Sequence, residues 1–153
     1  MRIILASDHR GLNVRTMILE YLQTLPEHTV SLVNEDQSNH TDYPDIAAKV
    51  AQSVSSGVAD RGILICGTGI GTCVVANKFP GVRAAPCHNE VVAELSRKHN
   101  DSNVLCLSGD LLGERSSVAV VAAWLTAPFE GGRHTARLEK VHQLEVDNCA
   151  LVA

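Results

Sequence analysis

One cysteine and the glycine-rich stretch after it are the part of the sequence best suited to chemistry. Cys66 follows the apolar run 63–65, and three glycines lie within the stretch 67–71. Backbone amides that no side chain covers can turn toward an anion, and a thiol beside them favours its thiolate form. Cys66 is therefore a candidate base or nucleophile, and each well-placed loop amide could stabilise an oxyanion by about 3–4 kcal/mol. The alternative is a tight strand-to-helix turn with a buried, inert cysteine.

Two further groups have side chains suited to proton transfer and to phosphate binding. His99 stands in a polar stretch, and because imidazole titrates near neutral pH it could move protons between oxygens; the alternative is a histidine that interacts with a helix C-terminus. Arg133 and Arg137 are four residues apart and share a helical face. Two guanidinium groups there favour an anion such as phosphate, and the alternative is a solvated basic face paired with Glu130 or Glu139.

Asp8 and His9 form a fourth polar group, directly after the apolar run 2–7. They could also be an ordinary salt-linked pair at a strand end. In open α/β sheets ligands bind beyond the carboxyl ends of the strands, and each polar group follows a predicted strand or a glycine-rich stop. We therefore expect all four groups to meet at one edge of the sheet.

Other kinds of site are poorly supported. The histidines are scattered, without the spacing of metal ligands on one element, and the first strand ends in Asp-His-Arg-Gly rather than in the glycine fingerprint of dinucleotide-binding domains. Cys73, Cys87 and Cys106 lie in apolar contexts and are predicted to belong to the core.

The composition indicates one folded domain without nucleic-acid or membrane partners. The chain has 153 residues, of which 45% are hydrophobic and 20% charged, which is enough for a sizeable core. A formal charge of −4 and 3% aromatic residues do not favour nucleic acid, and no apolar stretch is long enough to cross a membrane. Five cysteines without a Cys-x-x-Cys pair, and no secretory signal, lead us to expect a cytoplasmic protein with reduced thiols.

Apolar runs alternate with helical patterns along the chain. Strands are predicted at 2–7, 29–33, 63–65, 82–87 and 104–107, and helices at 14–25, 44–54, 73–79, 88–98, 118–125 and from 133 onward. The polar stretch 34–41 is predicted to be a loop. The alternation predicts an α/β fold, a Rossmann-like three-layer sandwich with a five-stranded parallel sheet and an extra C-terminal helix that packs on a second subunit. We expect a single domain at 1–146 and a flexible tail at 147–153.

Several segments together resemble ribose-5-phosphate isomerase type B, which belongs to one superfamily with the galactose-6-phosphate isomerase subunits. These segments are 8–9, 41–44, 65–71, 76–78, 81–84, 96–101 and 130–134. The resemblance covers residues 2 to about 145. The His-Asn-Asp stretch at 99–101, which the galactose-6-phosphate subunits typically lack, favours the pentose-phosphate side.

The resemblance implies a metal-free aldose–ketose isomerase without a cofactor, which works through an enediolate at a site formed across a homodimer interface. Such dimers could pair further. The residues implied in catalysis are Cys66 as the base between C1 and C2, His99 with Asp8 nearby as the ring-opening acid and base, and Thr68 in the oxyanion site. The residues implied in substrate binding are Gly67, Gly69, Ile70 and Gly71 at the oxyanion, Tyr43 and Asn100 at sugar hydroxyls, and His9, Arg133 and Arg137 at the phosphate.

Two positions depart from the family pattern. After Leu107 the family has an arginine that helps to hold phosphate, and here the residue is Asp110. Because an acid facing a phosphate is repulsive, either its side chain points away or the substrate differs. The second strand is followed by 34–37 in place of a Gly-Thr pair. We expect ribose 5-phosphate and ribulose 5-phosphate as substrates; the alternatives are a tetrose or hexose phosphate, a non-catalytic sugar-phosphate-binding module, and a transferase with a covalent Cys66 intermediate.

Overall fold

The computed structural model describes residues 1–33 and 41–152. In these residues the strands are β1 (Arg2–Ser7), β2 (Thr29–Leu32), β3 (Arg61–Cys66), β4 (Ala84–Pro86) and β5 (Val104–Ser108). The helices are α1 (Leu12–Gln23), α2 (Tyr43–Ser55), α3 (Ile70–Ala76), α4 (Glu90–Asn100), α5 (Glu114–Thr126) and α6 (Arg133–Val152). A short 3-10 helix, His9–Gly11, follows β1.

The five strands form one parallel sheet in the order β2-β1-β3-β5-β4. Every neighbouring pair is parallel, and the register places Gly62 opposite Val104 and Cys66 opposite Ser108. Parallel strands joined by helices are covered on both faces, so their sequences are almost continuously apolar. The predicted α/β sandwich with a five-stranded parallel sheet is therefore confirmed.

Two core layers lie on the two faces of the sheet. Side chains alternate between the faces of a strand, so Ile63 and Ile65 of β3 enter the layer that contains Trp124 of α5. Leu64 enters the layer formed with α2 and α3, which contains Val50. Because β3 is packed from both sides, Cys66 stands at the end of a rigid strand.

Two helix boundaries differ from the prediction in ways that matter for the site. The left-handed conformation of Gly69, at φ +77°, turns the chain sharply and is accessible to a residue without Cβ. Helix α3 consequently begins at Ile70 and not at 73, and it includes Gly71. Helix α4 runs to Asn100 and not to 98, so His99 lies in its last turn.

The end of the chain also differs from the prediction. Helix α6 continues to Val152, so the segment 147–152, predicted as a tail, is helical. A hydrogen bond from Gln143 Nε2 to Asp147 Oδ1, 2.8 Å long, joins residues four apart and supports the helix across the predicted domain end at 146. The predicted loop at 34–41 lies outside the described residues except for Thr41. Among the described helices, none has the length and apolarity to cross a membrane.

Candidate active site

Cys66 is buried at the carboxyl end of β3, with 4% of its surface exposed. The backbone N–H of Gly69 donates to its Sγ at 3.2 Å, and the Thr72 hydroxyl lies 3.5 Å from the same sulfur. The Gly69 amide thus donates to the sulfur, and the Thr72 hydroxyl can act as its donor or its acceptor. This environment suits a reactive thiol better than an inert core cysteine.

Thr72 is a residue of this environment that was not predicted from the sequence. It is fully buried, and its Oγ1 also donates to Gly69 O at 3.2 Å. A hydroxyl has one proton, so it serves either the carbonyl of Gly69 or the sulfur of Cys66. The sequence feature that could have identified Thr72 is a hydroxyl in the first turn of a helix that begins at a glycine loop.

The loop amides are partly engaged inside the loop itself. Gly69 N–H is directed at Cys66 Sγ, and Ile70 N–H donates to Thr68 Oγ1 at 3.3 Å. An oxyanion would compete with these acceptors for both amides. Gly71 lies in the first turn of α3, where N–H groups have no intrahelical partner.

Tyr43 covers this loop from the start of α2. A Cβ built on Gly71 would lie 2.7 Å from the Tyr43 ring, so any larger residue at this position would require the ring to move. Tyr43 keeps 41% of its surface exposed. The predicted sugar contact thus lies beside the loop, with part of its ring facing solvent.

Asp8 and His9 lie at the same edge of the sheet. Asp8 N–H donates to Ile65 O at 3.1 Å, which attaches the end of β1 to β3. The buried Asp8 carboxylate accepts from Arg10 N–H at 2.9 Å and caps the 3-10 helix. His9 follows on this helix with an exposed side chain.

Asp110, the departure from the family pattern, also lies at this edge, and it is paired with a cation. Its Oδ2 is 2.6 Å from Arg10 Nη2, and its Oδ1 accepts from Arg10 Nε at 3.2 Å. A Cβ on Gly67 would lie 2.9 Å from Asp110 Oδ2 and 3.1 Å from Arg10 Nε. The ion pair therefore packs directly on the residue that follows Cys66.

The expectation that all four polar groups meet at one edge is wrong for a single chain. Helix α4 runs back from the carboxyl end of β4, and the next strand, β5, starts at Val104 opposite Gly62. His99 and Asn100 therefore lie at the amino ends of the strands. Cys66 is four residues further along the sheet than Gly62, which corresponds to about 13 Å of strand.

The second group gathers around His99 at this amino end. The rings of His99 and His134 stack with centroids 4.3 Å apart and an interplanar angle of 6°, and Glu130 Oε2 is 3.9 Å from Nε2 of each. Arg133 Nε donates to His134 Nε2 at 3.5 Å. Burial, followed by the charges of His99, Arg133 and Arg137, lowers the pKa of His134 against the opposing effect of Glu130. The predicted phosphate-binding arginines thus accompany His99 and not Cys66.

His99, Glu130 and His134 are also the one group within residues 1–33 and 41–152 whose ligand atoms lie close enough to consider a metal ion. A metal must lie near the plane of each imidazole that binds it, along the nitrogen lone pair. The two rings are parallel and stacked, so one ion cannot lie in both planes. In this arrangement the two imidazoles cannot both bind one metal ion in their ring planes.

The last turn of α4 is held by Asp101. This residue adopts a left-handed conformation at φ 45° and ends the helix. Its carboxylate accepts from Arg83 at 2.9 Å and from the buried Arg97 at 2.7 Å. The ion pairs fix the position of His99 two residues earlier. The His-Asn-Asp stretch therefore contains an anchor as well as candidate functional groups.

The predicted core cysteines are buried. Cys73, Cys87 and Cys106 have free thiols, and burial raises the pKa of Cys87 to about 11. Burial also raises the pKa of Cys106 well above its ordinary value. Their prediction as core residues is confirmed.

Comparison with known proteins identifies the family. The model of the ribose/galactose isomerase family matches residues 3–141. The chain is 41% identical over 146 residues to ribose-5-phosphate isomerase B of Escherichia coli (strain K12), which covers 94% of this chain and 96% of that protein. It is 35% identical over 145 residues to D-erythrulose-4-phosphate isomerase of Pectobacterium atrosepticum, with 95% of each chain covered.

A solved structure shows the same architecture. Ribose-5-phosphate isomerase B from Mycoplasma genitalium, with bound ribulose-5-phosphate, superimposes with a TM-score of 0.89 at 42% identity and covers 94% of this chain and 95% of its own. These matches confirm the resemblance to ribose-5-phosphate isomerase type B. The chain therefore belongs to the ribose/galactose isomerase family and is an aldose–ketose isomerase of sugar phosphates.

Proposed function

We propose that this enzyme interconverts ribose 5-phosphate and ribulose 5-phosphate through an enediolate, with Cys66 as the base. The observation that carries the proposal is the buried Cys66 Sγ, which accepts from Gly69 N–H at 3.2 Å at the carboxyl edge of the sheet. A thiolate held by such a donor can remove a carbon-bound proton. A ligand at this edge would meet the loop amides at the same time.

The reaction needs one proton to move between neighbouring carbons. Starting from the aldose, the Cys66 thiolate takes the proton from C2. The C–H electron pair forms the C1–C2 double bond, and the aldehyde oxygen takes the negative charge. The Cys66 S–H then returns the proton to C1 as the double bond moves to oxygen. The amides of Gly67, Gly69, Ile70 and Gly71, with the Thr68 hydroxyl, stabilise the oxyanion. His99 moves a proton between O1 and O2 and opens the sugar ring.

Removal of the thiol tests the base. Cys66→Ala should abolish turnover and the exchange of the C2 proton with D2O, while the thermal unfolding temperature stays close to that of the wild type. Cys87→Ala is a matched control, because Cys87 is equally buried and lies away from the glycine loop. Near-normal isomerisation by Cys66→Ala would overturn the assignment.

We propose further that the working site forms across a homodimer. Cys66 and His99 lie at opposite ends of the sheet in one chain, too far apart for proton transfer to one substrate. A second copy would bring its His99, Asn100, Arg133 and Arg137 to the glycine loop. Exposed apolar side chains on α3 and α6 support this assembly, among them Ile70 at 57%, Val74 at 56% and Leu144 at 62% exposure.

Mixing two inactive variants tests the shared site. Each heterodimer of Cys66→Ala and His99→Gln chains would contain one site with both native residues and one with neither. After subunit exchange, about a quarter of the wild-type activity should return, since half of the dimers are mixed and each has one intact site. No recovery despite mixed dimers on native mass spectrometry would show that each chain uses its own residues.

A tetrose phosphate is a second candidate substrate. The relative from Pectobacterium atrosepticum is named for D-erythrulose 4-phosphate, and Asp110 stands beside the loop where the family pattern has an arginine. The ratio kcat/KM across tetrose, pentose and hexose phosphates decides between them. The highest value with a tetrose phosphate would replace the pentose assignment.

We also propose that the enzyme is cytoplasmic and needs no metal or cofactor. The free thiols of Cys66, Cys73, Cys87 and Cys106 suit a reducing compartment, and a cysteine base with amide donors can perform the reaction alone. Activity should survive dialysis against a chelator. A loss that a divalent cation restores would contradict this proposal.

A further inference from the structure

The ion pair between Arg10 and Asp110 is a feature of the site that the proposed reaction leaves without a role. We infer that Arg10, held in place by Asp110, binds the phosphate of the substrate and thereby sets which sugar phosphates the enzyme accepts. The inference rests on the proposed function, because it assigns the phosphate end of the same site. Its test below can fail while the proposed function stands.

Both residues are attached by their backbones to the edge that contains Cys66. Arg10 N–H donates to Asp8 Oδ1 at 2.9 Å, and Asp110 N–H donates to Gly67 O at 3.1 Å. The pair is thus formed by two short segments that approach the glycine loop from opposite sides of β3. A rigid base of this kind suits a binding group better than a flexible surface contact.

The pair leaves part of the guanidinium available. Asp110 occupies Nε and one position of Nη2. A guanidinium has five N–H donors in a fixed plane, so three are not used by this pair, on Nη1 and Nη2 at the end of the side chain. This end can bind two phosphate oxygens side by side. Arg10 can therefore bridge Asp110 and an anion at the same time.

Asp110 orders Arg10 before the anion arrives. The Arg10 side chain is 56% exposed, and a long exposed side chain loses conformational freedom when it binds. An exposed ion pair adds little to fold stability, so the two-point contact matters mainly for orientation. Asp110 also cancels part of the positive charge of Arg10. The contact with phosphate therefore depends mainly on the placement of the guanidinium N–H groups.

The position of the pair suits the end of the substrate that does not react. Cys66 Sγ is turned toward Gly69, from which it accepts a hydrogen bond, so the reacting carbons belong on that side. The Arg10 side chain packs on Gly67, at the start of the loop and two residues before Gly69. His9 is the neighbouring residue on the same short helix, so a phosphate there would meet two basic side chains.

Kinetics of three variants test the inference, with inorganic phosphate as a second probe. Arg10→Ala should raise KM for the best sugar phosphate, and Ki for inorganic phosphate, about tenfold or more, with kcat little changed, since the lost contact is far from the reacting carbons. Asp110→Asn should raise this KM and this Ki about threefold. Turnover of the unphosphorylated sugar should not change in these variants.

The double variant separates binding from simple charge shielding. If Arg10 only masks the charge of Asp110, then Arg10→Ala/Asp110→Asn recovers the wild-type KM, and the inference is overturned. If Arg10 binds phosphate, the double variant regains at most the part of the loss that comes from the unmasked Asp110 charge, and its KM stays well above that of the wild type.

Arg2 offers a matched control. It forms the same two-point pair with Asp60, at 2.6 and 3.4 Å, but at the amino end of the sheet. Arg2→Ala should leave KM and Ki unchanged. Equal KM and Ki values for Arg10→Ala and Arg2→Ala in an active, folded enzyme would refute the inference. A wild-type enzyme inactive on ribose 5-phosphate would instead refute the proposed substrate.

Discussion

Replacement of Thr72 by valine should weaken catalysis without unfolding the enzyme. Valine has nearly the shape of threonine, so the buried site keeps its volume while the hydroxyl is lost. The Oγ1 of Thr72 lies 3.5 Å from Cys66 Sγ and donates to Gly69 O at 3.2 Å. We expect its proton to turn from the carbonyl to the sulfur when the thiolate forms.

The magnitude follows from the value of a charge-assisted hydrogen bond. Such bonds contribute about 1.5–3 kcal/mol, and the long contact to a sulfur, a weak acceptor, places this one at the lower end. A loss of about 1.4 kcal/mol in the stabilisation of the thiolate corresponds to a tenfold lower rate. The ratio kcat/KM should therefore fall about tenfold.

Two measurements distinguish this effect from structural damage. Thr72→Ser keeps the hydroxyl and should keep kcat/KM, and the thermal unfolding temperature of Thr72→Val should stay close to that of the wild type. A loss of kcat/KM together with a much lower unfolding temperature would show that Thr72 only supports the loop, and an unchanged kcat/KM would refute its contact with the thiolate.

Three further predictions concern stability. Gly69→Ala should lower the free energy of unfolding by about 1–2 kcal/mol, because φ is +77° and a Cβ would lie 3.0 Å from the Leu107 carbonyl carbon; an unchanged urea midpoint would contradict this. Asp101→Ala should cost about 2–3 kcal/mol, because it leaves the buried Arg97 without its carboxylate, and Asp101→Asn should cost less in the same titration. His134 has a lowered pKa, so the native state binds fewer protons than the unfolded state between that value and about 6.5. Stability should therefore fall as pH falls through this window and be constant above it, and His134→Gln should remove the slope in urea titrations across pH.

The sheet could be predicted because its signals are local. Apolar runs such as 63–65 require burial on both faces, and parallel strands separated by helices allow few other arrangements. Cys66 could also be identified as a candidate base, because the thiol and the glycine loop are adjacent in sequence. Helix ends were predicted less well, since the left-handed turn at Gly69 starts α3 earlier than its apolar spacing indicates.

The sequence alone therefore determined the fold class, the kinds of chemical group and the family, since each depends on neighbouring residues and their spacing. Only the tertiary structure decided which groups meet. Helix α4 runs against the strands and carries His99 to the amino end of the sheet, away from Cys66. Arg10 and Asp110 pair across 100 residues of sequence, a contact that no local pattern specifies. The direction of each crossover and the order of the strands fix these distances.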